Sequence, residues 1–131
     1  MGYTSETKKL ILMIKQGGLP EEALVEYLHN DMKYVVSNSI IMIVKKQFNS
    51  QLVVDGLCSL LSKIDEKDVF FNGIALGHLA LAALGLMDTN RVAQSIFKDY
   101  YDRSSQNEKE KLDYVMEFLR NEKMEGIPKY T

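Results

Sequence analysis

The stretch Leu79-Ala80-Leu81-Ala82-Ala83-Leu84-Gly85-Leu86-Met87-Asp88 limits what this chain can fold into more than any other part of it. Its first nine residues carry no charge and mix small with large apolar side chains. That composition suits a helix buried on nearly every side and closely approached by its neighbours. Gly85 offers a helix stop and Asp88 a turn, after which Val92, Ile96 and Tyr100 recur at helical spacing with one apolar side. A buried helix followed at once by an amphipathic one is a helical hairpin. Such a hairpin must stack on further helices before its central member is covered.

Seven helical segments can be marked along the 131 residues. The first runs from Ser5 to Gln16 with Leu10, Met13 and Ile14 on one face, and stops at Gly17-Gly18. Pro20 opens the second, whose face is Leu24, Tyr27 and Leu28, with Glu21 and Glu22 at its positive end. Asn30 or Asp31 caps the third. Its β-branched Val35-Val36 and Ile40–Val44 would also suit a strand, but the span from Asp31 to Asn49 lacks Gly and Pro and is too long for one. The fourth starts at Asn49 or Ser50 and carries Val53, Leu57, Leu60, Leu61 and Ile64. A linker, 65–71, leads to the cap Asn72 and a fifth helix from Gly73 to Met87, in which Gly73, Gly77, Ala80 and Ala83 permit close packing. The sixth, Thr89 to Arg103, turns Val92, Ala93, Ile96, Phe97, Tyr100 and Tyr101 inward and Arg91, Gln94, Ser95, Lys98 and Asp102 outward. The capping box Ser105-Gln106-Asn107-Glu108 starts the seventh, which sets Leu112, Val115, Met116 and Leu119 on one face. The expectation is an all-α fold: one helical domain over 1–131, its helices stacked as antiparallel hairpins, with a flexible tail at 126–131.

Charge narrows the partners. The net charge is −2, divided as +1 over residues 1–64 (seven Lys/Arg, six Asp/Glu) and −3 over 65–131 (nine and twelve). Only three arginines are present and the lysines make mere pairs, Lys8-Lys9 and Lys45-Lys46, whereas phosphate binding needs concentrated base. No nucleic-acid partner is expected. The apolar run Ile74–Met87 is too short to span a bilayer and contains His78, and Leu10–Ile14 is too short for a secretion signal. Met1-Gly2 opens like a myristoylation site, but Glu6 stands where Ser or Thr is wanted. A lone cysteine, Cys58, can form no internal disulfide. These features predict a cytoplasmic protein without membrane partners.

The candidate chemistry is sparse. Glu26-Tyr27-Leu28-His29 has the spacing of a metal-binding helix face, but a di-iron site needs that pair twice, and Ala75 precedes His78 by three residues. Asp65-Glu66-Lys67-Asp68 fails as a calcium loop, since Lys67, Val69 and Leu76 occupy ligand positions. Gly17-Gly18 lacks the lysine and hydroxyl residue of a phosphate loop. His78, in the most apolar helix, could pair with Cys58 as a dyad, although nothing local prepares the thiol. The expectation is no catalytic residues, no metal and no cofactor. Seven tyrosines, among them Tyr34, Tyr100, Tyr101 and Tyr114, can bury a ring while keeping the hydroxyl wet, as at interfaces.

The passage from Leu79 through Asp88 to Phe97 resembles a HEAT repeat, in which an Ala-Leu-Gly helix end precedes an Asp turn and a Val-led helix. The usual second Asp turn with a following arginine is missing, so the fold implied is a HEAT-like solenoid fragment or an irregular helical bundle. In size, charge and helical make-up the chain is also similar to small immunity proteins of bacterial contact-dependent growth inhibition systems. That resemblance implies a non-catalytic protein–protein interaction module that neutralises a basic toxin domain, a nuclease for example. Asp65, Glu66, Asp68, Asp99, Tyr100 and Asp102 would then contact the partner. The alternative is a regulatory or scaffold subunit that holds a partner helix or peptide.

Overall fold

Every long segment with helical periodicity is a helix in the computed structural model, which describes residues 5–64, 69–71 and 73–125. Among these residues there are seven helices: α1 (Ser5–Lys15), α2 (Glu21–Tyr27), α3 (Lys33–Lys46), α4 (Gln51–Cys58), α5 (Leu76–Gly85), α6 (Arg91–Arg103) and α7 (Gln106–Glu125). Two short antiparallel strands, β1 (Val69–Phe71) and β2 (Ile74–Ala75), form a hairpin before α5. The fold is all-α, as the sequence predicts.

Two helices carry the core. In α5 every residue from Leu76 to Leu84 is buried, and in α3 Val35, Val36, Ile40, Ile43 and Val44 are. Around them α1 and α2 pack on α3, α4 and α6 pack on α5, and α7 lies across both through Leu112, Val115 and Leu119. Because α7 reaches back to α3, the helices close on themselves as an irregular bundle. The β-branched residues of α3 are helical because length and burial outweigh a β propensity worth only about 1 kcal/mol.

Several boundaries move, each for a local reason. Gly73 sits at φ +74° in the hairpin turn, so α5 starts at Leu76 rather than at Gly73. Asn72, expected to cap it, lies outside the described residues, and Ala75 is the N-cap. Helix α4 stops at Cys58 instead of running to Ile64. The Ser59 hydroxyl donates to Gly56 O at 2.6 Å, and tight i→i+3 bonds at Leu60, Leu61 and Lys63 take over. Neither Asn30 nor Asp31 is the N-cap of α3, which is Met32; the Asn30 side chain accepts from Met32 N–H at 2.8 Å. Met13 and Val92, placed inward by periodicity, are exposed; α1 buries Ile14 as expected, with Ile11 beside it. The tail 126–131 lies outside the described residues.

Gly77 and Gly85 mark close crossings. At Gly77 the chain after α4 runs directly over α5, with Gly77 N–H donating to Lys63 O at 2.6 Å. A Cβ at Gly85 would stand 2.8 Å from the Phe97 ring of α6. The small residues of α5 therefore serve packing. No described helix is long and apolar enough to cross a membrane.

Candidate functional site: a cleft where three helix ends meet

Helix α3 ends without glycine. Gln47 takes the left-handed conformation (φ 56°, ψ 38°) while Gln47 N–H donates to Val44 O and Phe48 N–H to Ile43 O, both at 3.1 Å. These two bonds make a Schellman motif with Gln at the position that glycine normally holds, and Ile43 and Phe48 are its hydrophobic pair. A left-handed L-residue costs roughly 1–2 kcal/mol.

Helix α5 ends without a basic residue of its own in its last turn, so its carbonyls are satisfied from elsewhere. Gln94, expected on the outer face of α6, donates from Nε2 to Gly85 O at 2.8 Å and Met87 O at 3.0 Å. Lys123 of α7 donates to Leu86 O at 3.1 Å and to Asp88 Oδ2 at 2.6 Å, with its side chain only 17% exposed. The two turns that follow α3 and α5 are then stitched together. Asn49 Nδ2 donates to Thr89 Oγ1 at 2.6 Å, and Asn90 Nδ2 to Asn49 O at 2.9 Å. Asn90 also caps α6, its Oδ1 accepting from Ala93 N–H at 3.0 Å.

Between these stitched ends lies a cleft of about 230 Å³. Its apolar lining comes from Ile43, Val44, Phe48, Ala83, Leu86 and Met87, and its polar edge from Gln47, Asn49, Asp88, Thr89 and Lys123. The ionic groups in that lining, Lys123 and Asp88, are paired with each other. The cleft thus exposes apolar and hydrogen-bonding surface in about equal measure and carries no net charge. Sequence reasoning missed it because each wall is a helix end, and helix ends come together only in the fold. The one local signal was Gln47-Phe48-Asn49, a helix stop with neither Gly nor Pro.

The residues singled out for partner binding are dispersed by comparison. Asp65, Glu66 and Asp68 lie outside the described residues. On α6, Asp99 pairs with Arg103 and Asp102 with Lys98, each at 2.7 Å and well exposed. The hydrogen bond from Lys98, aided by its charge, holds the Asp102 carboxyl below its ordinary range and raises the Lys98 ammonium in turn. Tyr100 is half-buried against the core, its hydroxyl 3.5 Å from Leu61 O and the Arg103 guanidinium over its ring. The acids of this helix are therefore matched by bases of the same helix.

His78 is buried, and both ring nitrogens are engaged. Nδ1 accepts from Ala75 N–H at 2.9 Å, and Nε2 lies 2.7 Å from Glu108 Oε1. A backbone N–H can only donate, so Nδ1 carries no proton and Nε2–H donates to the carboxylate. The ring thus caps the start of α5 and ties it to the first turn of α7. Glu108, expected to complete a capping box with Ser105, instead serves His78 and Lys111 (3.2 Å), while Ser105 Oγ still accepts from Glu108 N–H. Burial disfavours the Glu108 charge, but the bonds from His78 and Lys111 outweigh it and hold its carboxyl below the ordinary range. Burial, with Asp55 nearby, pushes the Cys58 thiol up, which disfavours the thiolate a nucleophile needs. His29 is exposed beyond the end of α2, and among the described residues no three His, Cys, Asp or Glu gather to hold a metal. Comparison with protein-family models, curated proteins and solved structures finds no match.

Proposed function

We propose that this chain is a non-catalytic protein-binding module that grips its partner by seating one apolar side chain in the cleft between the ends of α3, α5 and α7. The size of the cleft carries the proposal. A cavity of about 150 Å³ holds a single benzene ring, whereas sites for drug-sized ligands start at about 300 Å³. At about 230 Å³ the cleft suits one large apolar side chain and is small for a nucleotide or an organic cofactor. Anchors of that kind concentrate binding energy in protein interfaces, and a surrounding ring of polar contacts keeps water out.

Neutralisation of a bacterial toxin domain is the narrower role we put forward. The −3 balance of residues 65–131 supports it, because an acidic surface steers toward a basic active site. With the α6 acids matched locally, steering falls to Asp65, Glu66 and Asp68 and to Glu110 and Asp113 of α7, which have no ion-pair partner among the described residues. A regulatory subunit that holds a partner peptide would use the same cleft.

A random peptide library displayed on phage and selected on the immobilised protein tests the binding role. Enriched sequences should share one large apolar residue. Ala83→Met, which adds a side chain beneath the cleft, should abolish enrichment while far-UV circular dichroism shows the helical fold retained. Equal enrichment on Ala83→Met would refute the cleft as the site. Protection of cells that express a toxin domain encoded beside this chain, lost in Ala83→Met, would support the narrower role.

A further inference from the structure

Helix α1 has one main neighbour, α3, and buries Ile11 and Ile14, so its other side faces outward. There Leu12 and Met13, adjacent in the chain, stand 59% and 39% exposed. Lys8 and Lys9 lie one turn before Leu12 and Lys15 one turn after it, at the three- and four-residue spacings that share a helix face. Lys46, exposed in the last turn of α3, reaches the end of α1, its Cε 3.3 Å from where a Cβ of Gly17 would stand. None of these four ammonium groups has an ion-pair or hydrogen-bond partner among the described residues. Lys98, Arg103 and Lys123, by contrast, each hold an acid. Glu6, in the first turn, is the one acid of α1. Lysines that are mere pairs in the sequence are thus gathered by the fold at one helix, around an exposed leucine.

We infer that the outer face of α1 docks an acidic amphipathic helix of a protein partner. Apolar residues of that helix sit on Leu12 and Met13, and its Asp and Glu lie beside Lys8, Lys9, Lys15 and Lys46. Charge complementarity selects the occupant: cations without internal partners attract an anionic surface. The apolar pair among them calls for apolar residues between the acids, which is the make-up of an amphipathic helix. A phosphate backbone, the main source of nucleic-acid affinity, would give Leu12 and Met13 nothing apolar to pack on. A lipid surface would need the broad apolar face of an interfacial helix, and α1 spends that face on α3. Two apolar side chains make a small core beside the roughly 1,200 Å² that a stable interface buries. The complex is therefore transient and draws its selectivity from charge. None of these residues lines the cleft, so the α1 face works independently of it.

A capped peptide helix of about three heptads, repeating Leu-Glu-Ala-Leu-Glu-Glu-Ala, and a twin with Lys for every Glu are suitable probes. Titrated into methyl-labelled protein, the Glu helix should give saturable NMR shifts at Leu12 and Met13, and the Lys helix none. Affinity should fall as added salt shortens the screening length to about 8 Å. Lys9→Glu combined with Lys15→Glu should weaken binding at least about tenfold, because like charges then meet. Leu12→Gln should weaken it about tenfold, the loss of one leucine buried on docking, and keep the melting temperature, since that side chain is exposed in the free protein. Arg91→Glu, at an exposed base of α6, should leave binding unchanged. An equal loss there would reduce the effect to general charge attraction and overturn the site. No saturable shift with the Glu helix, or equal shifts with the Lys helix, would overturn it as well. Sedimentation that shows self-association abolished by Lys9→Glu with Lys15→Glu would assign the face to a second copy instead. Co-sedimentation with phosphatidylserine vesicles, without binding of the Glu helix, would assign it to a membrane surface; either result contradicts the inference.

Discussion

One chemical change, glycine to alanine, should have opposite effects at two positions of this fold. At Gly77 a Cβ would meet Ile64 Cγ1 and stand 2.7 Å from Lys63 O, the atom that accepts the Gly77 N–H at 2.6 Å. Backbone cannot rotate away as a side-chain tip can, so the 63–64 segment must lift off α5. Overpacking of this kind costs about 1–3 kcal/mol, and the loosened hydrogen bond about 1 kcal/mol more. Against this stands at most about 1 kcal/mol of helix propensity, reduced because Gly77 lies in the first turn. The net loss is about 1–3 kcal/mol. With an unfolding entropy of about 2.1 cal/mol/K per residue, this chain loses about 4 °C per kcal/mol, so Gly77→Ala should melt roughly 4–12 °C lower. At Gly18 nothing lies within 4 Å of a Cβ and φ is not positive. Gly18→Ala should therefore be neutral or stabilising by about 0.4–1 kcal/mol through the unfolded chain. Thermal melts followed by far-UV circular dichroism decide the matter. A Gly77→Ala protein that melts with or above wild type would show that the chain after α4 does not cross α5 there.

Three further outcomes follow from the packing and the His78 tether. Ala80→Leu, at a fully buried position of α5, should overpack by about 1–3 kcal/mol, read as a lower urea midpoint at unchanged slope. Glu108→Gln should destabilise by about 1 kcal/mol at neutral pH, since a charge-assisted bond to His78 is weakened. The Glu108 carboxyl is held below its ordinary range in the folded protein, so its contribution is full above the unfolded value of about 4.3 and is lost as pH falls through the lower folded value. The stability gap between wild type and Glu108→Gln should therefore close in acid, and a gap that widens there would refute the tether. Cys58 should react with iodoacetamide more slowly at neutral pH than an unfolded control, because burial raises its thiol; equal rates would show an accessible, activated sulfur.

Much of the fold was legible because its signals are local or periodic. The uncharged run 79–87 announced the buried α5, the Gly/Pro-free span 31–49 announced α3 against its β-branched composition, and Ser105 announced the start of α7. Single-face periodicity failed where a helix lies at the edge. Val92, the second residue of α6, lies in its first turn and is half exposed, and α1 has only α3 to pack on among its main partners. The site was not legible in the same way. Gln47, Asn49, Thr89 and Lys123 are 2 to 76 positions apart and acquire a shared role only when α7 folds back across α3 and α5. Periodicity places Gln94 outward, yet it and Lys123 are the caps that satisfy the end of α5. His78 was marked as buried, but its partner Glu108 could not be read from the sequence because Ser105 offered it a local role.

Occupation of the cleft is the claim on which the functional account rests, and intermolecular NOEs test it most directly. A phage-selected peptide bound to methyl-labelled protein should show NOEs from its apolar side chain to Ile43, Ala83, Leu86 and Met87. NOEs confined to α6, around Asp99, Tyr100 and Asp102, or to the exposed Leu12 and Met13 of α1, would place the binding surface elsewhere and contradict the account.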